Sequence, residues 1–212
     1  MTLNFSFFKP KTSKIIFLGD SITEMGVQKG AYIDLLNQYL LRDSLSKKYN
    51  IEGAGIGGNK IYDLYLRLED DVLAKNPDMV FIWVGINDVW HKKLFGTGSD
   101  ADKFEKFYKA IIKKMQAKDI KVILVTPAVI GEYTDYSNDS DGELNHFANL
   151  VKRIAAENNC ELVDMRQTFL QYNLLHNKEN KESGILTTDK VHLNAEGNKL
   201  AAETFYSFLM KK

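Results

Sequence analysis

Three short runs of this chain are continuously apolar: Ile15 to Leu18, Met79 to Val84 and Val122 to Val125. Uninterrupted runs of that length suit parallel strands covered on both faces. Asn50 to Ala54 and Cys160 to Val163 are weaker strand candidates. Between the runs, apolar residues recur at helical spacing. Tyr32, Leu35, Leu36, Tyr39 and Leu40 form one stripe and Ile61, Leu64, Tyr65 and Leu68 a second. Phe104, Phe107, Tyr108, Ile111, Ile112 and Met115 make the most regular. Leu144, Phe147, Val151 and Ile154 add a fourth, and Leu200, Ala201, Phe205, Phe208 and Leu209 close the series. Stripes of this kind read as core faces packed on a sheet.

Strand and helix alternating from end to end predict βαβ units with right-handed crossovers. The expected fold class is therefore α/β, a three-layer α/β/α sandwich around five parallel strands in the order 2-1-3-4-5. No repeat, low-complexity tract or linker divides the chain, so one domain is expected over residues 1-212, with 1-13 as an N-terminal extension. Two polar stretches, Val89 to Asp100 and Ala128 to Gly142, read as loops longer than connections usually are. Such loops tend to be functional, and both follow strands, so both are expected to rim one crevice.

The strand ends carry the candidate chemistry. In open α/β sheets ligands bind outside the carboxyl ends of the strands, at the topological switch point. The first strand runs into Gly19-Asp20-Ser21-Ile22, the second into Gly55-Ile56-Gly57-Gly58-Asn59, and the third into Gly85-Ile86-Asn87-Asp88. Near the C-terminus comes Thr188-Asp189-Lys190-Val191-His192-Leu193-Asn194, ahead of the last helix, with Asn194 as a candidate N-cap. A serine hydroxyl is a poor nucleophile until a base takes its proton, and histidine suits that role near neutral pH. The imidazole needs a partner on its other nitrogen, and Asp189 sits three residues before His192, within folding-back distance of Nδ1. Attack on an ester carbonyl places negative charge on its oxygen. The natural donors are the backbone N–H groups of Ser21 and Gly58 and the side-chain amide of Asn87. Taken singly, each segment also reads as an ordinary turn or cap; their joint order and placement point to catalysis.

Composition narrows the partners. Lys plus Arg and Asp plus Glu each number 28, so no net field favours nucleic acid or an anionic membrane. No apolar stretch approaches the roughly 20 residues that span a bilayer. The first 13 residues lack the layout of a signal peptide, so a cytoplasmic location is expected, or an extracellular or periplasmic one if the chain has been trimmed. Cys160 is the single cysteine and reads as a buried thiol rather than a nucleophile. The expected partner is a small-molecule ester, and neither cofactor nor metal is called for; the sequence leaves the oligomeric state open.

The four blocks resemble those of the SGNH hydrolases, the GDSL esterases and lipases. Gly19-Asp20-Ser21 looks like the serine block, Gly58 the glycine block, Gly85-x-Asn87-Asp88 the asparagine block and Asp189-x-x-His192 the aspartate–histidine block. The likeness runs from the first strand to the last helix and implies a flavodoxin-like sheet. It also implies Ser21 as nucleophile, His192 as base, Asp189 as its orienter, and Gly58 and Asn87 as oxyanion donors. Ile22 stands where the name-giving motif has leucine. The Gly-x-Ser-x-Gly elbow of α/β-hydrolases is absent around Ser21.

The resulting expectation is a serine esterase that hydrolyses short-acyl esters, acetyl above all, of carbohydrates or other small polar alcohols through an acyl-enzyme. Asp20, Asp88, Trp90, His91 and Tyr133 are candidates for the substrate pocket. The loop from Gly131 to Asp139 mixes tyrosines with hydrogen-bonding groups, which suits a polar alcohol better than a long acyl chain. Within the same family the alternative is a lysophospholipase or thioesterase. Of other classes, a metal-dependent phosphoesterase would use Asp20, Asn87, Asp88 and His192 as ligands, but two-metal sites usually need several histidines. A non-catalytic ligand-binding module is the remaining rival.

Overall fold

The computed structural model describes residues 12–211. The expected N-terminal extension lies outside them except for Thr12 and Ser13, and Ser13 already pairs in the first strand. Five strands form one parallel sheet: β1 (Ser13–Gly19), β2 (Tyr49–Gly55), β3 (Met79–Trp83), β4 (Lys121–Val125) and β5 (Glu161–Val163). Their order is β2-β1-β3-β4-β5, as the alternation predicts. Each apolar run becomes a strand of the central three, where Ile15 to Leu18, Val80 to Ile82 and Ile123 to Val125 are wholly buried. The chain leaves β1 in one direction to reach β2 and crosses back to place β3 on the other side of β1, so the switch point falls at Gly19 and Trp83, which are register partners.

Nine helices were found among the described residues: α1 (Ser21–Gly26), α2 (Tyr32–Arg42), α3 (Ile61–Leu66), α4 (Leu68–Asp71), α5 (Ile86–Phe95), α6 (Ala101–Gln116), α7 (Asp141–Glu157), α8 (Met165–His176) and α9 (Ala195–Met210). The predicted stripes face the sheet. On one side Tyr32 of α2 and Phe205 of α9 pack against Phe17 and Phe81, with ring centroids 4.6 to 5.6 Å apart. On the other, Phe104 of α6 meets Phe147 of α7 at 4.9 Å. Stacked and edge-to-face contacts of this kind add to the burial energy of large rings. No helix among the described residues is long and apolar enough to cross a membrane.

Two expectations need correction. The stripe from Ile61 to Leu68 is interrupted at Arg67, which ends α3 and precedes α4. The stretch from Val89 to Asp100 is largely helix rather than loop, because α5 runs to Phe95 and stops at Gly96. Its buried residues are Ile86, Asn87, Asp88 and Val89, so polar side chains occupy the face where a hydrophobic pattern is sought. Ala128 to Ser140, by contrast, is irregular until α7 begins at Asp141. Cys160 lies just ahead of β5, half-buried, and burial pushes its thiol up to about 11.

Candidate active site

Ser21 is the first residue of α1, directly beyond β1. The turn is fixed locally: the Asp20 carboxylate accepts from the Ile22 N–H at 3.0 Å and caps the helix. Close backbone packing holds the neighbouring strand end in place. A Cβ at Gly55 would lie 2.0 Å from the Glu24 nitrogen, so the end of β2 presses on α1 as only glycine allows.

From the far end of the chain, His192 brings Nε2 to 2.9 Å from Ser21 Oγ. Its Nδ1 stands 2.7 Å from Asp189 Oδ2. The other Asp189 oxygen accepts from the backbone N–H groups of His192 (2.8 Å) and Val191 (3.2 Å), so one carboxylate shapes the turn and orients the ring. Lys190, between them, adopts φ 81°, a left-handed conformation uncommon for a side chain with a Cβ. Burial tends to push the Asp189 carboxyl up, but its hydrogen bonds from His192 and Val191 outweigh this and leave its pKa below the ordinary value. The carboxylate therefore stays ionised beside the imidazole.

The glycine-rich turn and α5 close the other side. Gly58 has φ +75°, and a Cβ there would sit 3.6 Å from the His91 ring. Its carbonyl accepts from Lys60 Nζ at 2.9 Å, which fixes the orientation of the peptide. Asn87 is buried, and its amide donates to the Asn59 carbonyl at 3.2 Å, tying α5 to the glycine turn. An asparagine amide has two N–H donors. One is engaged by Asn59 and sets the plane in which the other points.

The tentative pocket residues divide. Trp90 and His91 are half-buried on α5; the Trp90 ring lies 6.5 Å from the His192 ring and 5.7 Å from that of His91. Tyr133 lies in the irregular loop after β4 and lines a cavity with Trp90. Asp20 and Asp88 do not line the pocket: they are 2% and 0% exposed, and their carboxylates serve backbone groups. Asp88 receives the Ile61 N–H at the start of α3, 3.3 Å from each oxygen. Burial pushes Asp20 up to about 6 and Asp88 up to about 7. With both carboxylates turned inward, the ligand set of a phosphoesterase is not assembled, and among the described residues no three His, Cys, Asp or Glu side chains gather to hold a metal ion. His146 lies on α7 beside Phe147, and His176 ends α8 stacked on Tyr172.

Sequence reasoning passed over three charged residues that hold the site together. Arg67 donates at once to the Gly19 carbonyl (2.7 Å), the Ala54 carbonyl (3.0 Å), Asn59 Oδ1 (2.7 Å) and Asp71 (2.6 Å). It thereby joins the serine turn to the glycine turn. Lys60 is the second. Glu132 is the third and is wholly buried: it accepts from the backbone N–H groups of Ile185 (2.8 Å), Leu186 and Thr187 (both 2.7 Å), and from the Thr187 hydroxyl (2.9 Å). Those residues lead straight into Asp189. The position of Lys60 right after the glycine turn was a usable signal, as was the i,i+4 spacing of Arg67 and Asp71; the Gly19 carbonyl that Arg67 holds and the partners of Glu132 lie too far along the chain for any local pattern to reveal them.

Comparison with known proteins adds an independent line. The model of the GDSL-like lipase/acylhydrolase family matches residues 17–200. An acetylxylan esterase of Geobacillus stearothermophilus is 28% identical over 210 residues, 91% of each chain. The crystal structure of the acetyl xylan esterase AlAXEase is 57% identical, with a TM-score of 0.91 over 92% of this chain and 99% of that one. The structure of Axe2, an acetylxylan esterase from Geobacillus stearothermophilus, is 27% identical, with a TM-score of 0.81 over 93% of this chain and 94% of the other.

Proposed function

This chain belongs to the GDSL-like lipase/acylhydrolase family, and on that premise we propose that it is a serine esterase removing acetyl groups from carbohydrate esters, with Ser21 as nucleophile. The observation that carries the reading is the continuous line from Ser21 Oγ to His192 Nε2 (2.9 Å) and from Nδ1 to Asp189 (2.7 Å).

In the first step Ser21 Oγ attacks the acetyl carbonyl while its proton passes to His192 Nε2. Asp189, ionised, holds the imidazole in the tautomer that accepts at Nε2 and stabilises the imidazolium that forms. The carbonyl oxygen gains negative charge and takes N–H donors from Ser21, Gly58 and the free hydrogen of the Asn87 amide, each worth on the order of 3 kcal/mol in the transition state. His192 then returns the proton to the sugar oxygen, the C–O bond breaks and the alcohol leaves. Water enters, gives its proton to the same imidazole and attacks the acetyl-serine; collapse releases acetate and restores the hydroxyl.

The polar alcohol and short acyl group rest on two supports: the acetylxylan esterases to which the chain is similar, and the polar surroundings of Tyr133. A series of p-nitrophenyl esters of increasing acyl length, run beside acetylated methyl xyloside, tests both. The expected result is fastest turnover of the acetyl ester and release of acetate from the sugar. A rate that rises with acyl length would instead point to a lysophospholipase-like or thioesterase-like enzyme.

A further inference from the structure

One turn after the nucleophile, α1 carries a charged side chain that the catalytic line leaves out. Glu24 follows Ser21 by three residues, so the two share a face of the helix. Gly57 shows how near they come: the position a Cβ would take there lies 3.0 Å from Glu24 Oε2 and 4.0 Å from the Ser21 Cβ. Carboxylate and nucleophile therefore border one patch of the mouth, kept open because Gly57 has no side chain. The backbone beneath is held fast. The Glu24 N–H donates to the Asp20 carbonyl at 2.9 Å, and the end of β2 presses on the same nitrogen at Gly55.

The cations of the glycine-turn side are compensated. Lys60 stands 3.9 Å from Asp63, and Arg67 lies 2.6 Å from Asp71. Glu24, by contrast, is exposed, and among the described residues its carboxylate has no hydrogen-bond or ion-pair partner. The Asp189–His192 pair adds a negative charge while the imidazole is neutral. An ester whose carbonyl reaches Ser21 Oγ thus meets a net negative field, with Glu24 as its uncompensated source. Distance rather than direction sets the energy between two charges, so the sign of the effect is the same whichever side of the ester is charged. A carboxylate in the first turn of α1 also suits the helix dipole, but that bears on stability and not on the choice of ester.

We propose that Glu24 is a specificity-determining residue that sorts esters by charge: a cation next to the reacting ester raises kcat/KM and an anion lowers it. The inference rests on the esterase reading above and adds to it a rule of selection among substrates. Esters that carry a carboxylate or phosphate close to the acyl group are the class it turns away.

The test measures kcat/KM for acetylcholine, its uncharged isostere 3,3-dimethylbutyl acetate, and acetoxyacetate at about 0.01 M ionic strength. The proteins compared are the native enzyme, Glu24→Gln and Glu24→Lys. With the dimethylbutyl ester as the reference within each protein, Glu24→Gln is expected to lower the acetylcholine ratio and raise the acetoxyacetate ratio, each about three- to tenfold. Glu24→Lys should carry both further. In about 1 M salt, where charge reaches only about 3 Å, the differences should collapse. Ratios equal in the three proteins would overturn the proposal, and so would ratios that change but resist salt, because shape rather than charge would then be at work. Where an ester is too slow to follow, its inhibition constant against p-nitrophenyl acetate takes the place of kcat/KM. Hydrolysis of p-nitrophenyl acetate by the native protein separates the two claims. With that activity and equal ratios, only the charge rule fails; without it, the esterase reading fails and the rule with it. Should a variant fail to fold, the native enzyme decides: its acetylcholine ratio must fall about threefold or more between the two salt concentrations, and a constant ratio contradicts the proposal.

Discussion

The two halves of the catalytic line are built by different means. Ser21 sits on a turn made by its neighbours: a buried strand before it, a helix after it and an aspartate cap one residue away, with Gly55 at the end of the adjoining strand packed on that helix. Asp189 and His192 sit on an irregular segment held mainly by distant groups. Glu132 gathers three backbone N–H groups and a hydroxyl more than 50 residues away, and Gly131 donates to the Lys190 carbonyl at 2.9 Å. The nucleophile is thus placed mainly by local rules, with Arg67 as the one distant tie to its turn, and the base by a long-range hydrogen-bond frame. Damage to the first should remove chemistry without loosening the protein; damage to the second should do both.

The largest effect is expected at Ser21. Ser21→Ala should lower kcat for p-nitrophenyl acetate by about 10⁴-fold or more while leaving the thermal midpoint nearly unchanged, because a half-buried hydroxyl is lost without opening a cavity. Next comes the wall opposite. Asn87→Ala should lower kcat by about 10²- to 10³-fold with a smaller change in KM, the pattern of a donor used only in the transition state. Steady-state kinetics at saturating substrate separates the two parameters.

Glu132→Gln sharpens the contrast from the other side. An amide N–H would face the Ile185 N–H that the carboxylate now accepts, so about 1–3 kcal/mol of stability should be lost. Because the frame also carries Asp189 and His192, kcat should fall about 10- to 100-fold in the same variant. Denaturation and kinetics on one sample check the coupling: a large loss of stability at full kcat would mean that the segment is placed without Glu132.

How much of this was legible follows the same division. The strands, their order and the four blocks could be read because apolar runs, helical stripes and glycine turns are local patterns. Asn194 was readable as a cap for the same reason, and its side chain accepts from the Gly197 N–H at 2.9 Å. The helix α5 was missed because Asn87 and Asp88 stand where its buried face would show apolar residues. Asp20 and Asp88, candidates for the pocket by sequence, are instead buried against backbone donors, which is a tertiary fact. The ties of Arg67 to Gly19 and of Glu132 to its partners were invisible because those groups come together only once the sheet has formed.

The last expected effect concerns pH and leaves the chemistry alone. Burial raises Asp88 from the ordinary 3.8 to about 7 in the folded chain. Between those values the native state holds a proton that the unfolded chain has released, so the contribution of Asp88 to stability is greatest in acid and declines as pH rises toward 7, after which it is constant. Asp88→Asn cannot ionise and should flatten that decline by on the order of 1–4 kcal/mol between pH 4 and 8. Urea midpoints across that range check it; parallel curves for the two proteins would show that Asp88 is ionised in the fold.

The most direct test of the central claim is the rate at which a fluorophosphonate modifies the protein, with the adduct located by mass spectrometry, in the native enzyme and in His192→Ala. The account predicts a single adduct on Ser21, formed at least about 100-fold more slowly without His192. An adduct on another residue, or equal rates for the two proteins, would contradict it.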